Sequence, residues 1–163
     1  DGYGSDFPFE IISRLWEKKY LDEVLNKPVP LKTGALALLQ HLEKEGVKKV
    51  VVTSTAQELA LRKLTNVQIM QFFDFVLGRD QVLLGKPNPE IYLTACRKLG
   101  EEPADCLALE DSDNGTIAAF EAGLTVIQVP DLVEPSPKVK ALGHRVVKSL
   151  IEVSSILDID TSK

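Results

Sequence analysis

Two adjacent carboxylates, Glu110 and Asp111, stand between an apolar run and the start of a helix. The run, Cys106-Leu107-Ala108-Leu109, has the character of a short strand covered on both faces. The exit, Ser112-Asp113-Asn114-Gly115, leads into a helix from near Asn114 that glycine closes at Gly123. Ligand sites of open α/β sheets lie at such strand-to-helix crossings. Carboxylates that close raise one another's pKa unless they share a cation, and their hard oxygens suit magnesium. The same letters also serve as an N-cap, because acids are favoured at the positive end of a helix dipole. On the pair alone, capping is the simpler reading.

Two other loops bear on that choice. Thr53-Ser54-Thr55 follows Val50-Val51-Val52 and runs straight into a helical stretch. Amides and a hydroxyl at such a helix start can hold a phosphate, or Ser54 or Thr55 simply caps the helix. Gly85-Lys86-Pro87-Asn88-Pro89-Glu90 sets a lysine between glycine and a proline that biases it toward extended backbone. Such a lysine is either aimed into a crevice or solvated at the surface. Together the loops bring a hydroxyl, an ammonium and an acid pair to successive crossings of one sheet. Phosphoryl transfer needs that set: groups that neutralise phosphate oxygens, and carboxylates for a metal ion.

The elements that must position these loops alternate. Strands are expected at Val50–Val52, Phe75–Leu77, Cys106–Leu109 and Val126–Val129, with a weak last one at Val146-Val147. Helices are expected from Ala35 to Gly46, from Ala56 to Leu64, from Pro89 to Leu99 and after Asn114. The fold class is therefore α/β, a Rossmann-like parallel sheet with flanking helices. A leading helix from Pro8 to Leu25 carries the only tryptophan, Trp16, and is cut off by Pro28 and Pro30. It reads as part of a separate lobe, with Trp16 in lobe packing. The tail from Asp158 to Lys163 is polar and expected to fray.

With 163 residues the chain is at most one ordinary domain with a real core. A net charge of −5 without a basic patch argues against nucleic acid as a partner. No run of 18 apolar residues or signal-like start appears, so no membrane partner is expected. Cys96 and Cys106 read as buried free thiols of a reducing, cytoplasmic compartment. His41 and His144 read as surface residues, not catalysts. No Gly-x-Gly-x-x-Gly or Walker-type loop supports a nucleotide-binding module.

Thr53-Ser54, Gly85-Lys86-Pro87-x-Pro89-Glu90 and Leu109-Glu110-Asp111-Ser112-x-x-Gly115-x-x-Ala118-Ala119-x-x-Ala122-Gly123 resemble three motifs of the haloacid dehalogenase-like (HAD) hydrolases. The nearest branch is the β-phosphoglucomutase-like one, whose helical cap is inserted after the first strand. The resemblance covers roughly Pro30 to Val129. It implies that residues 1–27 are the end of a cap and 28–163 a HAD core without its first strand. It implies that Ser54, with Thr55, binds the transferring phosphoryl group and that Lys86 stabilises its charge. Asp111 would ligate Mg2+, with Glu110 supporting the ion directly or through water. The acid pair sets the chain apart from the metal-free dehalogenase branch. The substrate class implied is a small phosphorylated metabolite, handled by a monomer or weak dimer.

The family's nucleophile comes from an Asp-x-Asp after the first strand, and no such motif stands here. Asp1-Gly2-Tyr3-Gly4 follows no apolar run, and Asp158-Ile159-Asp160 comes too late. The chain is therefore expected to be a piece of a longer polypeptide, inactive alone, that belongs to a phosphatase or phosphomutase working through an aspartyl-phosphate upstream. The alternative is an inactive HAD domain that binds a phosphometabolite or a partner.

Overall fold

Three consecutive valines form the first strand, and every strand after it runs parallel to its neighbour. The computed structural model describes residues 8–26 and 29–160. Asp1 to Gly4, Pro28 and Thr161, which entered the sequence reading, lie outside the described residues. Strand β1 (Val50–Val52) pairs with β2 (Phe75–Leu77) in the register Val50↔Phe75, Val52↔Leu77. A second sheet has the order β3 (Leu107–Glu110), β4 (Thr125–Gln128) and β5 (Arg145–Val146). Within it Glu110 lies opposite Gln128, and Gln128 opposite Val146. Among the described residues no strand pairs β1 with β3.

Parallel strands need crossovers, and helices supply them. Helix α1 (Phe9–Asn26) leads, and α2 (Ala35–Lys44) precedes β1. Helix α3 (Gln57–Asn66) joins β1 to β2, α4 (Glu90–Leu99) joins β2 to β3, and α5 (Asp113–Glu121) joins β3 to β4. The short α6 (Pro137–Lys140) lies before β5, and α7 (Leu150–Asp160) closes the chain. No helix among the described residues is long and apolar enough to cross a membrane.

One buried cluster ties the two sheets together. Leu77 and Ala108 from the strands meet Ile91, Tyr92 and Ala95 of α4 and the fully buried Ala118 and Ala119 of α5, with Val50 and Val52 packed against them. The small side chains on α5 let its backbone approach the sheet closely. A second cluster of Leu38, Ile127, Val147 and Val153 seats α2 and α7. Burying each large aliphatic side chain of this kind stabilises the fold by about 1.5–3 kcal/mol.

The structure departs from the sequence reading at several places. Strand β3 is covered on one face only: Ala108 and Glu110 are buried, whereas Leu107 and Leu109 are 39% and 36% exposed. Trp16 is 72% exposed, so it is not packed among the described residues. The last strand starts one residue earlier than expected, because Val147 turns into the second core. The expected frayed tail is helical as far as Asp160, since Val153 and Ile156 give α7 an apolar side to bury.

Candidate active site

The C-terminal ends of β1 and β3 face each other across a crevice of about 320 Å3. Val52 to Ser54 form one wall, Leu109 to Ser112 the other, and Lys86 lies between them. Five residues singled out from the sequence thus separate cleanly. Ser54, Lys86, Glu110 and Asp111 come together, and Thr55 does not line the crevice. Thr55 is instead a turn residue: its amide donates to Thr53 Oγ1 at 3.1 Å, and its carbonyl accepts from the Arg79 amide.

Lys86 is not a solvated lysine. Its side chain is 7% exposed and forms an ion pair with Glu110, whose side chain is 6% exposed. The ammonium donates to Glu110 Oε1, to Val52 O at 3.1 Å and to the Tyr92 hydroxyl at 3.2 Å, so each of its three protons has an acceptor. The Tyr92 hydroxyl in turn donates to Glu110 Oε1, and the Lys86 Nζ lies 4.8 Å from the centre of the Tyr92 ring. Burial, reinforced by the Glu110 charge, pushes the Tyr92 phenol far above its ordinary range, which keeps its proton in place. Tyr92 was missed in the sequence. Its only local signal is an aromatic one turn past Pro89, where helical spacing reads as plain core.

The other Glu110 oxygen, Oε2, lies 3.5 Å from Ser112 Oγ and packs over Gly115. A Cβ on Gly115 would overlap both carboxylate oxygens. A glycine in the first turn of a helix is otherwise unfavourable by about 1 kcal/mol, and here it makes room for the carboxylate.

Neither acid caps α5. The cap is Ser112, whose Oγ accepts from the Gly115 amide at 3.2 Å. Helix α3 is capped from a distance: Asp80 Oδ1 accepts from the Gln57 amide at 2.7 Å, which holds the Asp80 carboxyl below its ordinary range. The hydroxyls of Ser54 and Thr55 are therefore spared that duty, and Ser54 stays exposed on the crevice wall.

The lysine loop is braced before it reaches the crevice. Arg79 donates to Val82 O at 2.8 Å and Leu83 O at 3.2 Å. Glu90 accepts from the amides of Leu83 and Leu84 at 3.0 and 2.8 Å, and these bonds lower its carboxyl pKa. The Lys86–Pro87 peptide is cis.

Asp111 is exposed at the crevice mouth. Among the described residues no group of three potential metal ligands occurs. Magnesium does not require one, because it keeps several waters and takes only one or two carboxylates. The donor chemistry of Asp111 and Glu110, two carboxylates lining one crevice, suits such a hydrated ion.

A second polar cluster lies beneath the acid loop. The Gln128 side chain is fully buried, and its Oε1 is 2.8 Å from His144 Nε2. Asp113 accepts from the Ser136 amide at 3.2 Å, and the Ser136 hydroxyl, helped by that amide, holds its carboxyl below the ordinary range. His144 is thus half-buried and hydrogen-bonded, not the surface residue that its neighbour Arg145 suggested.

Comparison with known proteins gives the chain a family and structural neighbours. The family described as haloacid dehalogenase-like hydrolase matches residues 9–129. Over 143 residues the chain is 32% identical to the phosphorylated carbohydrates phosphatase of Thermotoga maritima, covering 88% of this chain and 64% of that one. Over 121 residues it is 33% identical to the bifunctional riboflavin kinase/FMN phosphatase of Arabidopsis thaliana, covering 74% of this chain and 32% of that one. The crystal structure of CbbY from Rhodobacter sphaeroides in complex with phosphate superposes with a TM-score of 0.71 at 26% identity, covering 94% of this chain and 69% of that one. The chain spans from about a third to about two thirds of the length of these curated relatives.

Proposed function

The chain belongs to the haloacid dehalogenase-like hydrolases, and from that membership we propose that it forms the phosphate-holding side of a magnesium-dependent phosphatase or phosphomutase. Its substrate is a small phosphorylated metabolite. The observation that carries this reading is the crevice itself: an exposed Ser54, a buried Lys86 and the Glu110-Asp111 pair converge at the C-terminal ends of two strands. Two matched relatives named as phosphatases support it.

In this reading Ser54 donates its hydroxyl proton to a phosphoryl oxygen at the crevice wall. Lys86 supplies positive charge in a low-dielectric setting, where it acts more strongly than in water. Glu110 fixes that ammonium through Oε1, while Tyr92 fixes the carboxylate and Gly115 lets it sit against α5. Asp111 and Glu110 would hold a magnesium ion, which would supply positive charge against the phosphoryl oxygens. The nucleophilic carboxylate and its acid–base partner belong, on the family's pattern, to an Asp-x-Asp upstream of residue 1. Helix α1 is then the end of the cap that selects the substrate.

Hydrolysis of p-nitrophenyl phosphate by the polypeptide that includes those upstream residues tests the proposal. Turnover should require magnesium and should vanish in Asp111→Ala. Turnover that is metal-independent and equal in both proteins would refute the role given to this pair.

A further inference from the structure

The two cysteines of this chain, ten residues apart in sequence, bring their sulfurs to 3.7 Å. Cys96 sits in the last half of α4, and Cys106 immediately precedes β3. Both are free thiols. We propose that Cys96 and Cys106 are a dithiol that a hydroperoxide oxidises to an intrachain disulfide, a modification site that staples α4 to β3.

Two sulfurs bond at about 2.05 Å, so closure asks for an approach of roughly 1.7 Å. The place to take up that shift is the short 3-10 turn Pro103–Asp105, which feeds directly into Cys106. The other partner is held firmly, since Cys96 is 3% exposed within the buried face of α4.

The two thiols have unequal roles. Cys106 is half-buried, so it is the more accessible of the two thiols. Partly exposed thiols react before buried ones. Burial pushes the Cys96 thiol up to about 11, so Cys96 keeps its proton and donates it toward Cys106 Sγ. A groove of about 650 Å3, lined by Leu93, Cys96, Arg97, Gly100 and Glu101, borders the Cys96 side of the pair, and the hydroperoxide meets Cys106 on its own partly exposed side.

The chemistry balances with one hydroperoxide. The Cys106 thiolate attacks the terminal peroxide oxygen; the O–O bond breaks, and the departing oxygen takes up a proton. Cys106 is now a sulfenic acid. The Cys96 sulfur attacks it, the S–O bond breaks, and the hydroxyl leaves as water with the Cys96 proton. Two thiols and hydrogen peroxide give one disulfide and two waters.

The staple would fasten α4 one helical turn past Tyr92, the residue that holds Glu110. It lies at the far end of β3 from the crevice, so oxidation tightens the α4–β3 seam without occupying the phosphate site. This inference does not depend on the phosphatase reading.

The test treats the intact polypeptide with hydrogen peroxide, followed by peptide mapping without reductant. The expected result is one linked peptide pair joining Cys96 to Cys106, two hydrogen atoms lighter, with loss of both free thiols and their return on adding dithiothreitol. The oxidised protein should unfold at a higher urea midpoint than the reduced one. Cys96→Ser and Cys106→Ser, each checked for folding by circular dichroism, should form no intrachain link. Recovery of free thiols, of sulfinic or sulfonic acids, or of links only between chains would overturn the proposal.

Discussion

Tyr92 donates its phenolic proton to Glu110 Oε1, the same oxygen that the Lys86 ammonium holds. One carboxylate oxygen thus receives two strong donors, one neutral and one charged. The arrangement needs all three members, because a buried carboxylate left with fewer donors keeps its desolvation penalty.

Tyr92→Phe removes the phenolic donor and keeps the ring over Lys86. The loss in unfolding free energy should be about 1.5–3 kcal/mol, the range for a hydrogen bond to a charged group. Urea denaturation measures it directly, and an unchanged midpoint would mean that the hydroxyl contributes nothing.

Lys86→Met strands the Glu110 charge in the interior and should destabilise by about 3–5 kcal/mol. Adding Glu110→Gln removes that charge, so the double variant should recover much of the loss while remaining inactive. A double-mutant cycle in urea separates the pair's coupling from the two single effects.

Gly115→Ala adds one methyl where Glu110 Oε2 already sits. Helix propensity alone would favour alanine by about 1 kcal/mol. The overlap reverses that sign, and the carboxylate must leave its place against α5. The variant should be less stable and should need more magnesium for half-maximal turnover of the upstream-extended polypeptide. A stabilised variant would show that the carboxylate has room elsewhere.

Asp111 contrasts with its neighbour, because it is exposed while Glu110 is buried. Asp111→Asn should leave stability within about 0.5 kcal/mol, as surface substitutions do, and should abolish magnesium-dependent turnover. Parallel measurement of the urea midpoint and the turnover rate checks whether the two properties separate.

His144 gives the structure an acid-sensitive point. Burial lowers its pKa below the ordinary value of 6.5, and the Asp113 charge opposes that only in part. The unfolded chain therefore takes up a proton first as the solution is acidified, so this contribution to stability falls as pH drops from about 6.5 toward the depressed value and levels off below it. The urea midpoint followed from about pH 8 to about pH 5 should fall more steeply for wild type than for His144→Gln. Equal slopes would count against a depressed histidine.

What was legible in the sequence was mostly local. Val50-Val51-Val52 and Phe75-Val76-Leu77 form strands at the residues expected, because β-branched and aromatic runs bounded by breakers leave few alternatives. The convergence of Ser54, Lys86, Glu110 and Asp111 was legible from loops at the ends of alternating elements. The fine structure of the site was not. Asp80 caps a helix that starts 23 residues before it, and Tyr92 reaches a carboxylate 18 residues on. Neither distance leaves a periodicity in the chain. The burial of Glu110 was equally hidden, since an acid beside an exposed acid carries no sequence sign of which one turns inward. α7 was missed because Val153, Ile156 and Leu157 bury against α2, a partner more than a hundred residues away.

The three protons of Lys86 are already taken by Val52 O, Tyr92 and Glu110. An arriving anion is therefore a fourth claimant on a filled donor shell. It cannot simply add; it must exchange with one of the residents or act through the field alone. The two uncharged residents, Val52 O at 3.1 Å and the Tyr92 hydroxyl at 3.2 Å, are held less strongly than the carboxylate. Recognition at this lysine is then a substitution reaction. Its heat is then the difference between two hydrogen bonds instead of the gain of one.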